Sequence, residues 1–159
     1  MYCRHINADG LKIDDPSRDR IDELVRRYLN GELSNLSLET EEMSGIGMEF
    51  LNAPVLGYCA YGVEDSERGC FVYESFNGVE SNVLKDISIY QFPESAFFSD
   101  PRPFRDVAIE FAQYGTIGRQ IPWRFRSQLA NDTMTPDCLL SVNDPRSVEE
   151  FLATYLPLT

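Results

Sequence analysis

The sequence offers one imidazole, four thiols and 26 carboxylates with which to do chemistry. A Ser-His-Asp or Cys-His centre would have to use His5, the single histidine, because the nucleophile needs a base to take its proton. His5 stands near the start of the chain, where a surface or strand-end position is the ordinary expectation. The cysteines Cys3, Cys59, Cys70 and Cys138 form no C-x-x-C pair, and one histidine leaves no zinc-ligand spacing. Cys59 and Cys70 fall inside short apolar runs, where a thiol is usually structural. Carboxylate pairs such as Glu41-Glu42 and Glu64-Asp65 could serve a sugar hydrolase only if two acids stood about 5–10 Å apart across a cleft. In so acidic a chain, neighbouring acids arise by chance. Gly45-Ile46-Gly47 lacks the following glycine of a dinucleotide loop, and no G-K-[ST] phosphate loop occurs. These residues predict no enzyme: no catalytic centre, no metal, no cofactor and no disulfide.

Charge says more. The chain has 159 residues, 43% of them apolar, and a net charge of −12. That length suits one domain over residues 1–159, with a core of its own. Between residues 31 and 100 there are thirteen acids against Arg68 and Lys85, a local net of −11. Residues 101–130 reverse the balance, with five arginines against Asp106 and Glu110. A chain of this balance lacks the basic face that direct nucleic-acid binding requires. Two readings of the acidic middle stand: a solvated sheet face, or a docking surface for a basic protein. Trp123, beside Arg124 and Arg126, likewise reads as a core residue under a loop or as an interface anchor. The two arginines would bind nucleic acid or, more in keeping with the total charge, hold the acidic sheet through internal ion pairs.

The N-terminal residues Met1 to His5 hold no apolar run, and no segment approaches the ~18 apolar residues of a membrane span. A cytoplasmic protein with reduced thiols and no membrane partner is therefore expected.

Three helices and a cluster of strands are legible. Residues 16–30 read as a helix capped by Asp15, with Ile21, Leu24, Val25 and Tyr28 on one face and Gly31 as its stop. Phe104, Val107, Ala108, Phe111 and Ala112 make one stripe over 103–114, with Asp100 as cap and Gly115 as end. Residues 145–156 make a third helix opened by Asp144-Pro145, with Val148, Phe151, Leu152 and Tyr155 as its stripe. Between 33 and 99, alternating residues such as Leu36/Leu38, Met48/Phe50 and Ile87/Ile89, with the runs 55–63 and 70–73, read as about six strands. Residues 64–69 read as a polar hairpin turn. Strands that cluster rather than alternate with helices predict an α+β fold, an antiparallel sheet packed by two to three helices.

With those elements in place, the chain resembles immunity family one, the immunity proteins found beside toxins of bacterial polymorphic and contact-dependent competition systems. The resemblance covers roughly residues 15–125. It rests on Pro16-Ser17 opening an amphipathic helix, Gly31 followed by Leu36 and Leu38, the Gly57-Tyr58 strand, and the stretch Ala108 to Gly115 running to Trp123, similar to the family's A-x-x-F-x-x-x-G helix and late tryptophan. The chain departs from the family in having Asn52-Ala53-Pro54 where a Gly-Gly-x-Tyr turn is expected, and Tyr90-Gln91 in place of Gly-Gln. Residues 126–159 form an extension beyond the match. The resemblance implies a protein that binds the toxin domain of its own strain, often a nuclease or nucleic-acid deaminase with a basic substrate face, and occludes its active site. Charge and strand placement put that contact on 39–74: Glu39, Glu41, Glu42, Glu64, Asp65, Glu67 and Glu74, with Tyr58, Tyr61 or Tyr73 as aromatic anchors. The other classes open to such a chain are an acidic adaptor or regulator and a small carboxylate-dependent hydrolase.

Overall fold

The computed structural model describes residues 3–39, 45–66, 69–81, 83–87, 90–125 and 145–155. It shows the expected α+β architecture, an antiparallel sheet packed on one face by helices. The strands are β1 (His5–Ala8), β2 (Leu11–Asp14), β3 (Asn35–Glu39), β4 (Gly45–Ala53), β5 (Gly57–Ser66), β6 (Gly69–Ser75), β7 (Leu84–Ile87), β8 (Tyr90–Pro93) and β9 (Trp123–Phe125). The helices are α1 (Arg18–Leu29), α2 (Arg102–Tyr114) and α3 (Val148–Thr154). Seven strands form one sheet in the order β2-β1-β3-β4-β5-β6-β9, and β7 and β8 form a separate hairpin.

The strands do not all lie between the first two helices, as the sequence pattern suggests. Two precede α1. Asp9 and Gly10 both have positive φ, 47° and 91°, the backbone of a two-residue turn that matches strand twist. The Asp9 carboxylate also accepts from the backbone N–H of Ser34 and Asn35, at 2.9 to 3.1 Å, which pins this hairpin beside β3. A further strand, β9, comes after α2 and pairs with β6 at the far edge. The expected turn at 64–69 is shorter: β5 and β6 pair as far as Ser66 opposite Gly69.

Alternation divides the sheet. Ile6, Leu36, Leu38, Met48, Phe50, Ala60, Tyr73, Trp123 and Phe125 share the main core with the stripes of α1 and α2, on what we call the inner face. Phe104, Val107 and Phe111 are fully buried there. Phe151 and Leu152 dock α3 on the same core, with Val148 and Tyr155 packed against it.

Three helix starts differ from the sequence expectation. Ser17, not Asp15, caps α1, accepting from the N–H of Arg20. Asp15 instead has φ 45° and donates its backbone N–H to the Arg4 carbonyl. Pro101 occupies the cap of α2, while Asp100 accepts from the N–H of Arg102 just outside it. Ser147 caps α3 in a reciprocal box with Glu150, and Asp144 lies outside the described residues.

Candidate functional site

Among the described residues, the outer face of the sheet carries no α-helix. Register places one residue from each of seven strands in a row across it: Lys12, Asn7, Ser37, Glu49, Tyr61, Glu74 and Arg124. Each is one position out of phase with an inner-face residue, so alternation turns the row away from the helices. Burial rises along it as far as Glu74. Lys12 is exposed, Asn7, Ser37 and Glu49 are half-buried, and Tyr61 and Glu74 are buried.

The gradient has a structural cause. The β7–β8 hairpin and the following 3-10 turn (Glu94–Ala96) cover half of this face. There Leu51, Ala53, Cys59, Tyr61, Phe92, Ala96 and Phe97 form a second, smaller core. Ser75 ties the cover down: its hydroxyl donates to the Ala96 carbonyl at 2.8 Å and accepts from the Ala60 N–H at 3.0 Å. At the other end of the cover, Arg124 donates to Glu80 at 2.9 Å and to the Ser95 hydroxyl at 2.6 Å, and lies 4.6 Å over the Phe76 ring. The arginine beside Trp123 is thus held in an internal ion pair; Arg126 lies outside the described residues. Trp123 itself is core, with its indole N–H donated to the Gly118 carbonyl and its ring edge-on to Tyr73.

Where the cover ends, an open cleft of about 470 Å³ lies between the hairpin and strands β3 to β5. Glu49 is on its floor, accepting from the Asn35 amide and from the Tyr61 hydroxyl. Asp86 stands on the hairpin side, accepting from Gln91 at 3.1 Å. Leu51, Leu56 and Ile87 supply apolar wall, and no basic side chain is among the described residues lining it. A smaller hollow of about 80 Å³ continues along the floor past Glu49 to Ser37 and Glu39.

The residues expected to meet a partner are scattered by the fold. Glu39 is exposed at the end of β3 beside the hollow. Glu64 turns to the α3 side, paired at 2.7 Å with Arg146. Tyr58 is half-buried against Tyr28, Tyr61 is buried under the hairpin, and Tyr73 is buried in the main core near Trp123 and Phe151. Glu74 is wholly buried. Tyr73 and Glu74 therefore offer almost no surface to a partner, and Tyr61 reaches solvent only where it borders the cleft and hollow, since strand alternation turns each into the interior on one side of the sheet or the other. Asp65 is placed only as a backbone partner of Cys70, and Glu41, Glu42 and Glu67 lie outside the described residues. Glu49, Asn35 and Asp86 were not singled out by sequence. The available signal was the position of Glu49 between Met48 and Phe50, an acid in mid-strand on the face away from the core.

Among the described residues, His5 meets a carboxylate but no nucleophile. Its Nδ1 lies 2.7 Å from Asp14, and the nearby Cys3 thiol donates to the His5 backbone carbonyl rather than its ring. Burial pushes that thiol up to about 11, the opposite of an activated nucleophile. Among the described residues, no three His, Cys, Asp or Glu side chains gather as a metal site, and no helix is long and apolar enough to cross a membrane. The chain matches no family model, no curated protein and no solved structure.

Proposed function

We propose that this is a non-catalytic binding protein that neutralises a basic partner, and that the partner is the toxin domain of a bacterial competition system. The carrying observation is the placement of Glu39, Glu49 and Asp86 on the sheet face opposite α1 and α2, beside an open cleft. The local excess of −11 over residues 31–100 belongs to the part of the chain that builds β3 to β8. Glu39, Glu49 and Asp86 from that segment border the cleft and hollow, where the described lining holds no basic side chain. An acidic surface of this kind attracts a protein whose own face is built to hold phosphates, and it speeds their encounter. The resemblance to immunity family one supports the choice of a toxin over other basic proteins. Inhibition is then stoichiometric: the bound protein covers the toxin's substrate path and performs no chemistry.

The test is co-expression. Protein-coding segments beside this gene are expressed alone and together with the chain, and growth is scored. One of them should arrest growth alone, be rescued by the chain, and co-purify with it in fixed ratio. If none is toxic, or the toxic one is neither bound nor rescued, the reading is wrong.

A further inference from the structure

We infer that the cleft between the β7–β8 hairpin and the sheet receives an arginine side chain of the basic partner. This rests on the proposed reading of that partner and goes beyond it by naming the anchor and its seat. The cleft volume, about 470 Å³, lies within the range of roughly 300–1,000 Å³ typical of small-ligand sites, which leaves ample room for one long side chain. Its chemistry has two parts. Leu51 and Leu56 offer apolar wall to an aliphatic stem. Glu49 and Asp86 place negative charge on the floor and on the facing wall. Glu49 is held in place by Asn35 and Tyr61, so its carboxylate is oriented before any partner arrives. A guanidinium presents donors in a rigid planar fork and can address acceptors on two sides, which a compact ammonium does less well. At the cleft's mouth the Pro54-Val55 turn holds Val55 fully exposed with φ 73°, a conformation a β-branched residue rarely adopts. It adds an apolar lip that the free chain leaves in water.

The experiment uses the full chain, isotopically labelled for amide NMR, titrated with acetyl-arginine methylamide at low salt. Acetyl-citrulline methylamide, of the same shape without the charge, and acetyl-lysine methylamide are the comparisons. Saturable shifts should be confined to amides around Asn35, Glu49, Leu56, Tyr61 and Asp86. Binding should be about tenfold weaker for citrulline, and about tenfold weaker for arginine on Glu49→Gln, as expected for loss of one charge-assisted contact. Asp86→Asn, at an exposed position, serves if Glu49→Gln does not fold. The inference is overturned by shifts spread over the whole acidic surface, by equal response to citrulline, by indifference to both substitutions, or by lysine binding as well as arginine. Failure here leaves the basic-partner reading to be judged by co-expression. A toxin that is neither bound nor rescued would sink that reading whatever the cleft does.

Discussion

Two glycines show how a single missing side chain positions the rest. Gly57 has φ 114°, and a Cβ there would strike the Phe98 carbonyl, which bonds with Tyr58 across the isolated bridge. A Cβ at Gly62 would strike the Tyr73 ring, which is buried near Trp123 and Phe151. Gly62→Ala should therefore cost ~1–3 kcal/mol by overpacking. On a Tyr73→Leu background the added cost of Gly62→Ala should be smaller, because the ring atoms that a Cβ would strike are gone and the two changes share one space. Urea midpoints of the single and double variants check this, and an unchanged midpoint for Gly62→Ala would refute it. The sequence shows both glycines inside an apolar run but not what approaches them, since Phe98 and Tyr73 come from other strands and turns. The same limit explains the tyrosines. Tyr58, Tyr61 and Tyr73 look alike in sequence, and only pairing register decides which core each enters. A second residue-scale prediction concerns pH. The Cys3 proton leaves at about 9 in the unfolded chain, but burial holds it to about 11 in the folded one. The unfolded state therefore binds fewer protons between these values, and stability present at neutral pH falls as pH rises through them. The contribution is about 2–3 kcal/mol. The stability difference between wild type and Cys3→Ala, measured in reductant at pH 8 and pH 11, should change by that amount in favour of the variant. A difference that stays constant would show that the thiol is not the group responsible.

At the scale of elements, the helices were legible because their stripes are local. The stripes of α1, α2 and α3 sit on the core at the residues their spacing picks out. Their starts were harder to read, since Asp15 and Ser17, or Asp144 and Ser147, each offer a capping oxygen within a few positions, and backbone geometry outside the helix chooses between them. The β1–β2 hairpin had a plain signal in Asp9-Gly10 between short alternating runs. Strand β9 had a weaker one, in Trp123 and Phe125 flanking Arg124. The short α3 is the element whose order depends most on its dock. Its seven residues are too few to be helical alone in water. Arg146, just before it, lies 5.3 Å over Phe71 and 5.0 Å over Phe151 while paired with Glu64. That arginine joins the helix to β5 and β6. Arg146→Ala should cost ~2–3 kcal/mol, combining a lost charged hydrogen bond with lost ring stacking. It should also raise amide exchange across Val148–Thr154 well before the sheet exchanges. Exchange measured by mass spectrometry decides the matter: unchanged protection of α3 would mean that Phe151 and Leu152 alone hold it.

Across the whole molecule, clustered strands were enough to give the antiparallel α+β class, but not the unequal treatment of the two sheet faces. That asymmetry comes from long-range pairing. Strand β9 returns to β6 after the chain has built the β7–β8 cover and α2, so the open and covered halves of the outer face are set by contacts far apart in sequence. The consequence is a molecule with helices on one face and an acidic opening on the other. If that polarity guides association, the rate of binding to the toxin identified by co-expression should fall by about tenfold or more from low to physiological salt, while dissociation changes little. Glu39→Gln with Asp86→Asn should lower the rate at low salt and flatten its salt dependence, since both acids are exposed beside the opening. Asp19→Asn with Asp22→Asn removes the same charge from exposed positions on α1, behind the sheet, and should leave the salt slope nearer that of wild type. Both pairs change net charge equally, so a general loss of acidity would affect them alike. Only a partner that approaches the outer face separates them. Equal effects of the two pairs on the association rate, measured by stopped flow over a salt series, would place the guiding charge elsewhere than the cleft side of the sheet.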